Sequence, residues 1–243
     1  MSKKIALIIG GNGGIGCSAT KQLAKDEFQV CATYFNNKNK VKKVQSDYDI
    51  RTYQCNVTDE SEVGKMIDGI ATCFGNIDVV VFTMTSSLKN SRILDLEWED
   101  YYEHFNLQIK TMLFTMKALG RQISSKYKTK FIVLLTEYCV GTPPKGLSHY
   151  VTSKYAAMGM AKTMAVELAQ FDCTVNMISP GMVVTPLLNN LPSKLIEMTA
   201  YNNPLKRNAI PEDVSNLISF LASDKSDYLN GTNIVINGGG VLI

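Results

Sequence analysis

Lys4–Gly10 reads KIALIIG, and residues 11–16 that follow read GNGGIG. The apolar run is typical of a strand buried on both faces, and a helix is predicted from about Gly14 to Asp26. Glycine lets the backbone turn tightly here and approach a pyrophosphate with no Cβ in the way, while the helix N-terminus directs N–H groups at the same point. The stretch therefore predicts a dinucleotide site. The alternative is a tight strand–helix turn with no ligand.

Short apolar runs alternate with helical runs along the rest of the chain. Further strands are predicted at Gln29–Phe35, Arg51–Cys55, Asp78–Thr83, Lys130–Thr136, Cys173–Ile178 and Asn233–Asn237. Long helices are predicted from about Glu97 to Ser124 and over Tyr150–Ala169, and Thr58-Asp59 is typical of a helix N-cap. Continuous apolar strands between helices indicate a parallel sheet covered on both faces. We therefore expect an α/β fold, a doubly wound seven-stranded parallel sheet of the Rossmann type, as a single domain over residues 1–243.

Composition excludes several classes of protein. A chain of 243 residues, 45% of them hydrophobic, is large enough to form a core without disulfides. Its net charge is only +3 and its basic residues form no dense stripe, so no nucleic-acid partner is expected. The six cysteines form no C-x-x-C pair and only two histidines accompany them, so no metal site is expected. No 18 apolar residues run together, so we expect no membrane span and a cytoplasmic protein with reduced thiols.

The second strand bears on cofactor choice. An acid near its end would bind the ribose hydroxyls of NAD, but no Asp or Glu lies between Glu27 and Asp47. That interval instead contains the lysines Lys38, Lys40, Lys42 and Lys43. A basic tract suits a 2′-phosphate, so NADP(H) is favoured and NAD(H) is the alternative. The competing interpretation is that these lysines form the solvated face of the next helix.

Tyr150 and Lys154 have the spacing Y-x-x-x-K, which places both side chains on one face of a helix. A phenol with a pKa of about 10 is a poor acid or base at neutral pH. A nearby ammonium favours the phenolate, so we expect Lys154 to lower the pKa of Tyr150. The phenol could then exchange a proton with a carbonyl or an alcohol while hydride moves.

Together these motifs resemble the short-chain dehydrogenase/reductase family, in the branch that includes β-ketoacyl-carrier-protein reductases. Ser179–Thr185, SPGMVVT, and the tail Tyr228–Gly239 also match, so the resemblance extends from Lys4 to Gly239. It implies a substrate lid at 186–204, a homotetramer or homodimer, and a nicotinamide contact at Thr185. The implied cofactor contacts are Gly10, Asn12, Gly14, Ile15, Gly16, Tyr34, Lys38, Asn56, Val57, Tyr150, Lys154, Pro180, Gly181, Val183 and Thr185.

The chain departs from the family after its fifth strand, where a serine usually steadies the substrate oxygen. That serine lies roughly 13 residues before the tyrosine in the family, and the same count back from Tyr150 reaches Glu137. Counting back from Gly141 instead reaches Tyr138. Thr136 lies one residue further back and keeps a β-hydroxyl, so we favour Thr136 for this role. The alternative is that Thr136 is only a β-branched strand residue.

Other family positions are also changed. Gln108 stands where the family carries an asparagine, with Asn106 as the rival if the register slips by two. Phe82–Thr85, FTMT, replaces the usual N-N-A-G, and Asn56 replaces an adenine-contacting Asp. These changes together suggest an unusual substrate pose or a subunit that has lost its chemistry.

The resemblance implies an NADP(H)-preferring reductase that converts a ketone to a secondary alcohol. Tyr150 would be the acid, Lys154 would bind the nicotinamide ribose, Thr136 or Tyr138 would hold the carbonyl, and Gln108 would support a proton relay. Substrate contacts are expected at Tyr138, Leu187 and Leu188. Apolar residues in the lid favour a hydrophobic or carrier-bound acyl group, unless they pack on the body of the domain. The alternatives are an inactive subunit in a hetero-oligomer with an active paralogue, and a nucleotide sensor.

Overall fold

The computed structural model describes residues 3–36 and 48–242, so the predicted contact at Lys38 lies outside the described residues. The strands are β1 Ile5–Ile9, β2 Gln29–Tyr34, β3 Ile50–Gln54, β4 Val79–Phe82, β5 Lys130–Leu134, β6 Thr174–Pro180 and β7 Asn233–Ile236. They form one parallel sheet in the order β3-β2-β1-β4-β5-β6-β7. The predicted doubly wound α/β fold is therefore confirmed.

Helices cover both faces of the sheet. They are α1 Gly14–Lys25, α2 Glu60–Phe74, α3 Trp98–Phe105, α4 Thr111–Ala118, α5 Gly120–Ser124, α6 Ser148–Glu167, α7 Ser193–Asn202 and α8 Pro211–Ala222. The predicted N-cap before α2 is present, because Asp59 Oδ1 accepts a hydrogen bond from the Glu62 N–H at 2.9 Å. None of the helices in the described ranges is both long and apolar enough to cross a membrane.

Alternate side chains of the central strand enter two different cores, since successive residues of a strand point to opposite faces. Leu7 and Ile9 of β1 pack in one core with residues of α2, α4 and α6, whereas Ala6 and Ile8 pack in the other with residues of α1 and α8. Both cores exclude water from the strands. The strands consequently read as continuous apolar runs instead of alternating ones.

The predicted long helix from Glu97 to Ser124 is helical without interruption over residues 98–118, and it is broken once, at Leu119. The structure divides it into α3, a π-helical turn over Asn106–Lys110, α4 and α5. Such a turn bonds i to i+5, so it holds one residue more than an α-helical turn, and π turns occur often at functional sites. The consequence here is that the side chains of this segment are rotated relative to a regular helix.

Candidate active site

The turn after β1 needs glycine at three positions. Gly10 has a φ of 91°, and a Cβ on Gly16 would lie 2.2 Å from the Gly10 carbonyl oxygen. A Cβ on Gly14 would lie 2.5 Å from Cγ2 of Thr185, which lies in the segment after β6. The turn is therefore built so closely that neighbouring backbone and side chains occupy the space of any larger residue.

Two threonines that the sequence motifs did not reveal hold this turn in place. The Gly10 N–H donates to Thr33 Oγ1 at 3.0 Å. Thr83 Oγ1 donates to the Ile9 carbonyl at 2.9 Å and lies 3.1 Å from the Gly10 carbonyl. The sequence did offer one indication of Thr83, because it belongs to the segment Phe82–Thr85 that replaces the family's N-N-A-G. At that position a hydroxyl, instead of an amide, contacts the glycine turn.

A cleft of about 610 Å³ opens beside the turn, at the carboxyl ends of β1, β2 and β4. The predicted contacts Gly10, Asn12, Tyr34, Asn56 and Val57 line it. Phe35, Ser86 and Tyr102 also line it and were not predicted, and Asn106, predicted only as the rival of Gln108, lines it too. No Lys or Arg is among the described lining residues.

Asn56 can serve the cleft mainly as a donor. Its Oδ1 accepts from both the N–H and the hydroxyl of Thr58, at 3.1 and 2.8 Å. The carboxylate that the family usually carries here is an acceptor, whereas the atom of Asn56 left for a ligand is the amide Nδ2.

A smaller apolar cavity of about 100 Å³ lies next to Tyr150. Predicted residues that line it are Ile15, Thr136, Tyr138, Tyr150, Pro180, Gly181, Val183, Thr185, Leu187 and Leu188. Leu188 is buried and Leu187 half-buried, whereas Leu195 and Met198 further along the predicted lid are exposed. The first part of the lid thus packs over the cavity, and its helix α7 turns apolar side chains outward.

Lys154 is buried in a polar pocket made by backbone and amide groups. Its Nζ donates to the Leu134 carbonyl at 2.7 Å and to Gln108 Oε1 at 3.3 Å. Gln108 is held in turn, since its Nε2 donates to the Met84 carbonyl at 2.9 Å. The π-helical turn thus brings Gln108 to Lys154, while Asn106 lines the cleft. Burial of the ammonium lowers the pKa of Lys154 from 10.5 to about 8.

Tyr150 lines the apolar cavity together with Thr136, the threonine favoured as the replacement for the family serine. The prediction that Lys154 lowers the pKa of Tyr150 is wrong for this structure. Burial of the phenol raises the pKa of Tyr150, and the nearby Thr136 side chain opposes that rise only in part. Lys154 instead directs its N–H groups to Leu134 and Gln108. The phenol therefore keeps its proton at neutral pH.

A pair of buried histidines, His104 and His149, packs close to the ring of Tyr150. The rings of His104 and His149 meet edge to face with centroids 4.7 Å apart, and the His104 ring lies 6.1 Å from that of Tyr150. Burial, with His149 close by, lowers the pKa of His104 to about 4, so the ring is neutral at physiological pH. In the described ranges, no group of three His, Cys, Asp or Glu side chains is arranged to hold a metal ion.

The site fits a nicotinamide dinucleotide. The glycine turn provides a backbone cradle that a Cβ would fill, and it begins α1, whose N-terminus favours phosphate. The cleft on one side of the turn has room for the adenosine half. The apolar cavity with Tyr150 lies at Thr185, next to Gly14, and would take the nicotinamide end.

Comparisons with known proteins agree with this arrangement. A family model described as enoyl-(acyl carrier protein) reductase matches residues 10–240. The 3-oxoacyl-[acyl-carrier-protein] reductase of Staphylococcus epidermidis is 31% identical over 243 residues, covering 97% of this chain and 98% of that protein. The enzyme of the same name from Thermotoga maritima is 31% identical, with 98% of each chain covered.

Solved structures show the same relationship. The structure of ElxO with NADP bound superimposes with a TM-score of 0.88 at 28% identity, covering 98% of both chains. A short-chain type dehydrogenase/reductase from Mycobacterium marinum gives a TM-score of 0.90 at 28% identity, covering 100% of this chain and 97% of that one. Full-length agreement in sequence and fold places the chain in the short-chain dehydrogenase/reductase family, among relatives of the β-ketoacyl-carrier-protein reductases.

Proposed function

We propose that this protein is an NADPH-dependent reductase that converts a ketone to a secondary alcohol. The observation that carries the proposal is that Tyr150 and Thr136 line the same apolar cavity, while Lys154 of the same helix is hydrogen-bonded to Gln108. A proton donor, a hydroxyl to orient a carbonyl oxygen and a lysine are thus grouped around one small space.

When bound, NADPH would supply the hydride that the carbonyl carbon receives. Tyr150 donates its proton to the carbonyl oxygen, and its raised pKa keeps that proton in place until the oxygen becomes basic. Thr136 orients the oxygen by a hydrogen bond, which matters because a shift of about 1 Å can cost on the order of 100-fold in rate. Lys154, with a pKa of about 8, can return a proton toward Tyr150 near neutral pH.

The test of this chemistry is Tyr150→Phe, which removes the phenolic proton and leaves the ring in place. Turnover of a ketone panel should fall by orders of magnitude, while the Kd for NADPH, measured by fluorescence titration, stays close to that of the wild type. Equal turnover in the two proteins would dismiss Tyr150 as the acid.

Preference for NADPH is supported by two observations. No acid follows β2 among the described residues Phe35 and Asn36, and a neighbouring structure holds NADP. Lys38→Glu should weaken NADPH binding and leave NADH binding almost unchanged, because only NADPH carries the 2′-phosphate. Tighter binding of NADH than of NADPH by the wild type would refute the preference.

A hydrophobic or carrier-bound β-ketoacyl group is the substrate class that the apolar cavity favours. Leu88, Leu187, Leu188 and Leu191 line the cavity, and two relatives are named for a carrier-bound 3-oxoacyl substrate.

We propose a homotetramer or homodimer, because Leu113, Tyr155 and Val166 are exposed on α4 and α6. The comparisons lend no support to the inactive-subunit alternative. That alternative requires activity to appear only after mixing with a paralogue.

A further inference from the structure

A second large cavity, of about 500 Å³, adjoins the apolar cavity at Tyr150. Tyr138, Gly181 and Met182 line both cavities, so they form the wall between them. The remaining lining of the larger cavity is rich in hydroxyl and amide groups, including Thr142, Thr199, Asn202, Asn208, Asn216 and Asn237. We call it the polar cavity. The polar cavity is therefore adjacent to the space beside Tyr150, with Tyr138 between the two.

Glu137 places an uncompensated negative charge in the polar cavity. Its carboxylate accepts a hydrogen bond from Asn237 Nδ2 at 3.0 Å, and among the described residues it has no ion-pair partner. Burial raises the pKa of Glu137, whereas a cationic partner would lower it. The carboxylate is therefore partly desolvated without the opposite charge that would offset the cost.

The other two charged residues of the polar cavity neutralise each other. Arg207 donates to both carboxylate oxygens of Asp213, at 2.6 and 2.9 Å. Two N–H groups of the guanidinium thus pair with the two carboxylate oxygens, and the opposite charges offset each other. Among the described lining residues, the cavity as a whole thus carries the single negative charge of Glu137.

We propose that the polar cavity binds a cationic ammonium group carried by the ketone substrate, with Glu137 as its counter-charge. The inference rests on the proposed ketone reduction. The rival account is that Glu137 serves only to anchor the segment around Asn237 by their hydrogen bond.

The test compares two acetoacetate esters that differ in charge at nearly constant shape. One is the choline ester, which is permanently cationic, and the other is the neutral 3,3-dimethylbutyl ester. Wild-type kcat/KM, followed by NADPH oxidation, should favour the choline ester by about tenfold, because its fixed positive charge is attracted to the Glu137 carboxylate and the neutral ester is not. Glu137→Gln keeps an acceptor for Asn237 and removes the charge, so the ratio should fall to about one.

Glu197→Gln is the matched control, because Glu197 is an exposed carboxylate on α7 that does not line the polar cavity. It removes the same charge from the neighbourhood and should leave the ratio of the two esters as in the wild type. An equal ratio in Glu137→Gln and wild type would overturn the inference and leave ketone reduction standing.

A binding measurement separates failure of the inference from failure of the proposed function. If neither ester is reduced, calorimetric titration of both esters into the NADP⁺ complex still gives the preference for charge. Tighter binding of the choline ester by wild type, lost in Glu137→Gln, would support the cationic site although reduction of these esters had failed. Equal affinities for the two esters in the wild type would refute it.

Discussion

Oε1 of Gln108 lies 3.3 Å from Nζ of Lys154, and the two side chains come from a π-helical turn and from α6. Both residues are buried, at 2% and 3% exposure, so bulk water does not screen their interaction. The amide oxygen stabilises the ammonium against the burial that lowers the pKa of Lys154 to about 8. The charge on residue 108 should therefore control the proton on Lys154.

Gln108→Glu should move the alkaline limb of the pH–rate profile upward. A carboxylate beside the ammonium favours its charged form, so the pKa of Lys154 rises above its present value of about 8. The measurement is kcat for ketone reduction as a function of pH. Gln108→Leu, which offers neither charge nor hydrogen bond, should lower kcat without that upward shift. A limb that stays in place in both variants would show that Lys154 does not set it.

Thr136→Ala should cost more activity than Tyr138→Phe, and Thr136→Ser should be tolerated. Thr136 lines the apolar cavity beside Tyr150 and its side chain lowers the pKa of that phenol, whereas Tyr138 lies in the wall between two cavities. Losing an orienting hydrogen bond should lower kcat/KM by on the order of 100-fold. If Thr136→Ala is silent and Tyr138→Phe is crippling, the phenol of Tyr138 holds the substrate oxygen instead.

Gly14→Ala should weaken NADPH binding by about tenfold or more, because overpacking forces the neighbouring structure to move. The new Cβ would lie 2.5 Å from Cγ2 of Thr185, so the segment after β6 must shift. Gly69→Ala is the control, since a Cβ at Gly69 in α2 meets nothing within 4 Å. It should raise the free energy of unfolding by up to about 1 kcal/mol and leave NADPH binding alone. Fluorescence titration and urea unfolding measure the two effects.

Lys154→Met should change the pH dependence of stability. The pKa of Lys154 is about 8 in the folded protein and 10.5 as a free side chain, so the unfolded chain binds the proton more tightly between these values. Wild-type stability therefore rises with pH through this window, and Lys154→Met lacks that rise. The unfolding free energy of the wild type minus that of Lys154→Met should therefore increase by about 2 kcal/mol between pH 7.5 and 10. Urea titrations at both pH values measure it, and a constant difference would contradict the lowered pKa.

Local patterns were enough to predict the sheet and the motifs that flank it. The apolar run before Gly10 and the spacing of Tyr150 and Lys154 depend only on neighbouring residues, and the structure places these residues where the patterns indicated. The choice of Thr136 over Tyr138 could not be settled by counting, because it depends on which hydroxyl reaches Tyr150 in space. Burial was also invisible in the sequence, so the pKa of Tyr150 was predicted in the wrong direction.

The π-helical turn at Asn106–Lys110 has a consequence for how this chain is compared with others. Because such a turn holds one residue more than an α-helical turn, a relative with a regular helix here would be one residue shorter without any change in its loops. The alignment gap then belongs inside a buried helix, where gap penalties usually discourage it. Misplacing it across Gln108 would shift that residue by one column, so that Leu107 or Ile109 would be paired with the lysine-binding amide.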